Sequence, residues 1–290
     1  MSSPNYTDTQ LLSFREIIED AILANGAQGK ESAIRSSGPI NCIHNLVKHE
    51  LISRGISADN VFPPLDASSP EIKIAGFLKQ KDQDITVLPG DIKPQRSSIT
   101  WGPLAYENKV DPWGHEFVNE SLVINVRSQI SSVGKNADTL FERTFAEAQN
   151  LHMVYPELVL GEVYLVPLHE YDDKAVKEKR IAFKKRPINL KKYISFFSAL
   201  NGRANSGDHD LYKYEKVALM IVDFQAQPYP RLIESTDELI ERGLVPSDFS
   251  IELRDISFSA FTDEIIEIYK RRCAFSHLSI SRHEYGYIEI

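Results

Sequence analysis

Four short apolar runs, with one amphipathic helix between the last two, constrain this chain more than any other feature. Residues 74–78 and 85–88 are of strand type, the second stopped by Pro89-Gly90. Residues 122–126 and 158–168 read as buried strands. Between those two, residues 138–152 carry Leu140, Phe141, Phe145, Ala148 and Leu151 on helical spacing. Strand, strand, helix, strand in that order predicts a small mixed sheet with one crossover helix packed on it. The fold class expected is therefore mixed α/β.

The flanks add helices at both ends. Residues 8–25 place Leu11, Phe14, Ile18 and Ile22 on one helical face, closed by Asn25-Gly26 as a C-cap signal. Residues 27–40 read as a loop, and 41–54 as a second helix ended by Gly55. Beyond 168 come a basic stretch (174–192), a helix (188–200), a buried strand (217–224) and helical segments at 235–243 and 262–272. No linker divides the chain. The organisation expected is one domain over 1–290, with a core at about 72–168, an N-terminal helical part at 8–55 and a C-terminal α/β extension at 170–290.

Composition excludes several classes. With 42% hydrophobic and 26% charged residues, wholesale disorder is not expected. No apolar run approaches the ~18 residues that span a bilayer, and Met1-Ser-Ser-Pro-Asn-Tyr6 has no secretory pattern. Cys42 and Cys273 are isolated, which argues against thiolate zinc and a disulfide scaffold and points to free thiols in the cytoplasm. Net charge is −8. Such a chain can still bind nucleic acid through a locally basic cleft. Phosphate-loop, dinucleotide, HExxH and GxSxG motifs are all missing.

Metal-dependent phosphodiester cleavage needs carboxylates at the ends of adjacent strands and a nearby cation. Asp84 stands at the start of one strand, and Asn125-Val126-Arg127 lies on the next. Ser128-Gln129, then Gly134-Lys135-Asn136, lead into a helix bearing Glu142, Arg143 and Glu147. Over about residues 80–168 this pattern resembles the PD-(D/E)XK nuclease superfamily, and type II restriction endonucleases within it. In that superfamily an Asp opens one strand, and an acidic residue, any residue and Lys follow on the next. Here Gln83 stands where Pro is common, and Asn125-Val126-Arg127 stands where Asp/Glu-x-Lys is expected.

The resemblance implies a restriction-endonuclease-like sheet flanked by helices and a Mg²⁺-dependent, sequence-specific endonuclease acting on double-stranded DNA. It implies Asp84 and Glu142 as metal ligands, the latter supplied from the helix in place of the strand. Arg127 would orient the phosphate, Asn125 would position water, Lys135 would replace the missing lysine, and Glu50 would be an auxiliary acid. A homodimer and a separate DNA methyltransferase are implied as partners. The basic stretch, with Lys184, Lys185 and Arg186, would contact DNA phosphates.

Each residue also has a plainer reading. Thr139 to Glu142 fits a helix capping box, Asp84 can end a turn, and Glu50 can be a solvated helix residue. Arg127 inside an apolar strand needs a partner, and a structural salt bridge to Asp84 or Glu142 would leave a DNA-binding protein without catalysis. Residues 94–118, with Trp101 and Trp113, would either enter a DNA groove or pack as a satellite cluster. A soluble interaction protein with no nucleic-acid role is the third reading.

Overall fold

The longest apolar runs lie side by side at the centre of one mixed sheet. In the computed structural model, which describes residues 4–90, 92–204 and 210–272, helices α1 (Tyr6–Arg35) and α2 (Ser37–Ser53) come first. Strands β1 (Val61–Phe62), β2 (Ile72–Ala75), β3 (Gln80–Gln83) and β4 (Ile85–Val87) follow. Short pieces come next: β5 (Ser97–Ser98), α3 (Gly102–Tyr106), β6 (Val110–Asp111) and α4 (His115–Asn119). Then come β7 (Leu122–Ser128), α5 (Val133–His152), β8 (Val159–Pro167), α6 (Asp173–Lys177) and α7 (Leu190–Leu200). The described chain closes with β9 (Lys216–Asp223), β10 (Arg231–Ile233), α8 (Thr236–Glu241) and α9 (Phe258–Arg272).

The main sheet has six strands in the order β1-β4-β7-β8-β9-β10. The first three pair antiparallel, β7, β8 and β9 pair parallel, and β10 returns antiparallel. Helix α5 makes the crossover from β7 to β8, as the strand and helix order predicts. Every residue of β8 and β9 is buried, as expected for parallel strands covered on both faces.

Alternation along β7 sorts the two faces. Leu122, Ile124 and Val126 join one core cluster with residues of α1, α2 and α9. Val123 joins the other, with Phe141, Ala148 and Leu151 of α5 and Tyr193, Ile194 and Phe197 of α7. Asn125 and Arg127 share the period of Val123 and therefore face α5. A Cβ on Gly161 of β8 would lie 2.6 Å from Ile265 and 2.9 Å from Phe261, so only glycine lets α9 approach this closely.

Two local expectations change. Gly26 does break the first helix, at φ 57°, but helix resumes to Arg35 where a loop was expected over 27–40. The kink lets Val176 of α6 approach, its carbonyl 2.9 Å from where a Cβ on Gly26 would sit, and the resumed turns bury Lys30 and Ala33. Helix α5 starts at Val133, before the expected 138. That places Thr139 and Glu142 inside the helix, so they form no capping box. Of the two alternatives for 94–118, Ile99, Trp101 and Leu104 form a satellite cluster with Ala75, and the indole N–H groups of Trp101 and Trp113 donate to the carbonyls of Gly76 and Lys73. Cys42 is a buried free thiol, and Cys273 lies outside the described residues.

Candidate functional site

Sheet register brings three polar side chains into a row on the face that α5 covers. Asn125 pairs with Glu162 of β8. Asp84 immediately precedes Ile85, which pairs with Ile124, so the same register places Asp84 opposite Asn125. Side chains at paired positions share a face at roughly 5 Å spacing. The Asp84 carboxylate accepts from the Val126 amide at 2.8 Å, which ties the bend between β3 and β4 to the middle of β7.

Arg127 lies two residues beyond Asn125 and projects towards α5. Its Nη1 donates to Thr144 Oγ1 at 2.7 Å and to Glu162 Oε1 at 2.9 Å. Its Nη2 meets Glu147 Oε2 in a close ion pair. Lys81 of β3 reaches the other oxygen of Glu147, Oε1, at 2.8 Å. Five charged side chains thus converge between the sheet and the middle of α5.

This cluster is not saturated. Glu162 Oε2 and both amide atoms of Asn125 are buried and make no hydrogen bond of ordinary geometry, although the Tyr214 side chain lies beside both residues. The neighbouring Tyr214 hydroxyl gives its one proton to the Thr144 carbonyl, 2.7 Å away. Burial pushes the Glu162 carboxyl up to about 7, against the pull of the Arg127 guanidinium. Burial also lowers the Lys81 ammonium, with Asp84 pulling it back. At the rim, burial and then the charge of Asp84 raise the Glu71 carboxyl. The opposite sheet face contributes His44 of α2, whose imidazole burial keeps below its ordinary value while Asp84 acts against that.

The structure therefore gathers Asp84, Asn125 and Arg127, as the sequence suggested, but it does not gather the other named residues. Glu142 is exposed on α5. It lies five residues before Glu147, hence about 140° around the helix from it, and Glu147 is the helix carboxylate that reaches the cluster. Lys135 is exposed in the first turn of α5, beside a polar groove that includes Lys30, Glu170 and Lys184. Glu50 pairs with Arg54, which also binds Asp263, in a network joining α2 to α9. Lys184 is held by Glu170 at 3.3 Å and Asp173 at 3.1 Å, whereas Lys185 and Arg186 are exposed.

Sequence reasoning missed Lys81, Glu147 and, above all, Glu162. The signal for Glu162 was present: it is the one charged residue in the apolar run 158–168. A charge in a buried strand needs a partner, and two such charges on adjacent parallel strands, Arg127 and Glu162, pair with each other.

Among the described residues, no group of three or more His, Cys, Asp or Glu side chains is gathered to hold a metal ion. Magnesium, however, takes one or two carboxylates and keeps several waters. Asp84 and Glu162 are two carboxylates that flank the Asn125 amide in one row, which matches the number of carboxylates such a site uses. No described helix is long and apolar enough to cross a membrane. The chain matches no protein-family model, and no curated protein or solved structure matches it.

Proposed function

We propose that this protein is a Mg²⁺-dependent endonuclease of restriction type that cleaves double-stranded DNA. The observation that carries the reading is the row Asp84, Asn125, Glu162 across three neighbouring strands, with Arg127 and Lys81 beside it. The strand order around it, an antiparallel pair followed by a helical crossover to a parallel strand, supports the same reading.

Asp84 and Glu162 would hold the metal, which when bound supplies Lewis-acid stabilisation and lowers the pKa of water. Asn125 orients the attacking water through its buried amide. Arg127 and Lys81 neutralise charge that builds on the phosphate oxygens as water adds to phosphorus. The P–O3′ bond breaks, the 3′ oxygen takes a proton, and the products carry 5′-phosphate and 3′-hydroxyl ends. Lys185 and Arg186 are free to meet the DNA backbone, which adds salt-dependent affinity. Recognition of a two-fold symmetric site calls for a homodimer, protection of the host's own DNA calls for a separate methyltransferase, and the cytoplasm is the compartment where both would act.

One observation favours a second reading. Arg127 is engaged through both Nη atoms by Thr144, Glu147 and Glu162, and Asn125 stands where a carboxylate was expected. A DNA-binding protein that has lost catalysis would carry such a cluster as a structural ion network.

Incubation of the protein with unmethylated DNAs of diverse sequence, in Mg²⁺ or EDTA, separates the two. Discrete fragments that require Mg²⁺ and disappear in Asp84→Ala support the nuclease. Intact DNA with salt-sensitive gel retardation moves the assignment to the inactive binder. Intact and unretarded DNA rejects both.

A further inference from the structure

Glu147 is the only carboxylate in the cluster that is shared between two cations through separate oxygens. Lys81 takes Oε1 at 2.8 Å and Arg127 Nη2 takes Oε2. Two non-bridging oxygens of a phosphate present the same pair of acceptors, and Arg and Lys bind phosphate in this way. We propose that Lys81 and Arg127 form a seat for a phosphoryl group, and that Glu147 fills this seat until phosphate displaces it. Naming the occupant as the scissile phosphodiester rests on the nuclease reading above; the seat itself does not.

Two features support displacement. Anchoring comes first. Arg127 is fixed through Nη1 to Thr144 and Glu162, and its Nη2 would stay in place when Glu147 leaves. Access comes second. The side chains of Lys81 and Glu147 are 29% and 16% exposed, against 0% for Glu162, so the seat borders solvent on its Lys81 side, while Glu147 Oε2, which faces Arg127, is buried. Glu147 lies between Ala146 and Ala148 well inside α5, and a change of side-chain rotamer removes its carboxylate without disturbing the helix.

The test is calorimetric titration of inorganic phosphate into the full-length protein, in EDTA and at low ionic strength. Wild type, Glu147→Gln, Glu147→Ala and the double variant Glu147→Ala/Lys81→Met are compared, each with its thermal melt. The expected result is at least tenfold tighter phosphate binding in both single variants than in wild type, with the gain lost in the double variant. Equal affinity in wild type and single variants overturns the proposal. So does tighter binding that survives Lys81→Met, because the phosphate would then sit elsewhere. Unfolding of both single variants at 25 °C also overturns it, because Glu147 would then be a structural keystone. DNA cleavage is not part of this readout: a seat that binds phosphate in a protein that never cuts DNA leaves the proposal standing and removes the nuclease reading alone.

Discussion

Two buried glutamates beneath the same helix have opposite surroundings. Glu162 sits under the middle of α5, beside Thr144 and Glu147. Glu215 sits under its C-terminal end, beside His152, about 12 Å further along from Thr144. Both side chains are fully buried. Glu215 Oε1 accepts from Arg203 at 2.8 Å and Arg272 at 2.5 Å. Its Oε2 accepts from the Leu160 amide at 2.8 Å and stands 3.4 Å from His152 Nε2. Burial opposes ionisation of Glu215, yet His152, Arg272 and Arg203 outweigh it and bring the carboxyl down to about 2. Glu162 shares one cation with Glu147, keeps an oxygen without a partner, and rises to about 7. Burial alone does not set the charge state of a carboxylate. The number of donors aimed at it does. A carboxylate with donors on both oxygens holds structure together, and one with an oxygen that lacks a donor retains capacity for a ligand.

The strongest way to break this comparison is through stability. Glu215→Gln leaves Arg203 and Arg272 facing a neutral group and should cost about 3–5 kcal/mol, the usual penalty for breaking a buried ion network. At about pH 5, where the raised Glu162 carboxyl is protonated in the fold, Glu162→Gln should change stability by less than about 1 kcal/mol, because Arg127 keeps Glu147. Urea unfolding of the two variants measures both values, and similar losses would erase the distinction.

Activity should divide the same residues the other way. Asp84→Ala and Glu162→Gln are expected to lower Mg²⁺-dependent cleavage about 10³-fold, or ~4 kcal/mol on the barrier. Glu215→Gln, assayed where it is still folded, should cleave at nearly the wild-type rate. A single-turnover comparison that finds Glu162→Gln as active as wild type would remove Glu162 from the metal site.

The pH dependence of stability should show two slopes of opposite sign. Glu215, depressed from the ordinary 4.5 to about 2, contributes stability above pH 4.5 that is lost as pH falls through 2. Glu162, raised from 4.5 to about 7, contributes below pH 4.5, and that contribution is lost as pH rises through 7. Denaturant midpoints across pH 2–8 should therefore flatten at the acid end in Glu215→Gln and between pH 4.5 and 7 in Glu162→Gln.

The smallest effect is expected at Glu142. As an exposed helix residue, Glu142→Ala should alter stability by less than about 0.5 kcal/mol and leave cleavage unchanged. A large loss of cleavage in Glu142→Ala would return that residue to the site in place of Glu147.

Much of the architecture was legible because it rests on periodicity. The alternation in β7, the apolar run of β8 and the helical spacing of α5 each depend only on neighbours along the chain, and the order of these elements restricts their connections. Asp84 and Arg127 were legible for a related reason, as charges at the edge or inside of apolar strands. The end of α1 and the start of α5 were not. Packing of α6 against the Gly26 kink and the approach of Glu170 to the Val133 amide, at 3.1 Å, set the ends of those helices.

By itself, the sequence determined a mixed sheet with a helical crossover, and it put Asp84 at the start of one strand and Asn125 and Arg127 on the next. Only the tertiary structure decided which other charges join them. It chose Glu147 over Glu142 through the rotational setting of α5, Glu162 through the parallel register of β7 with β8, and Lys81 over Lys135 through the bend at Asp84. The physical reason is that local periodicity records which face a side chain occupies, whereas register and helix rotation are set by contacts between distant segments.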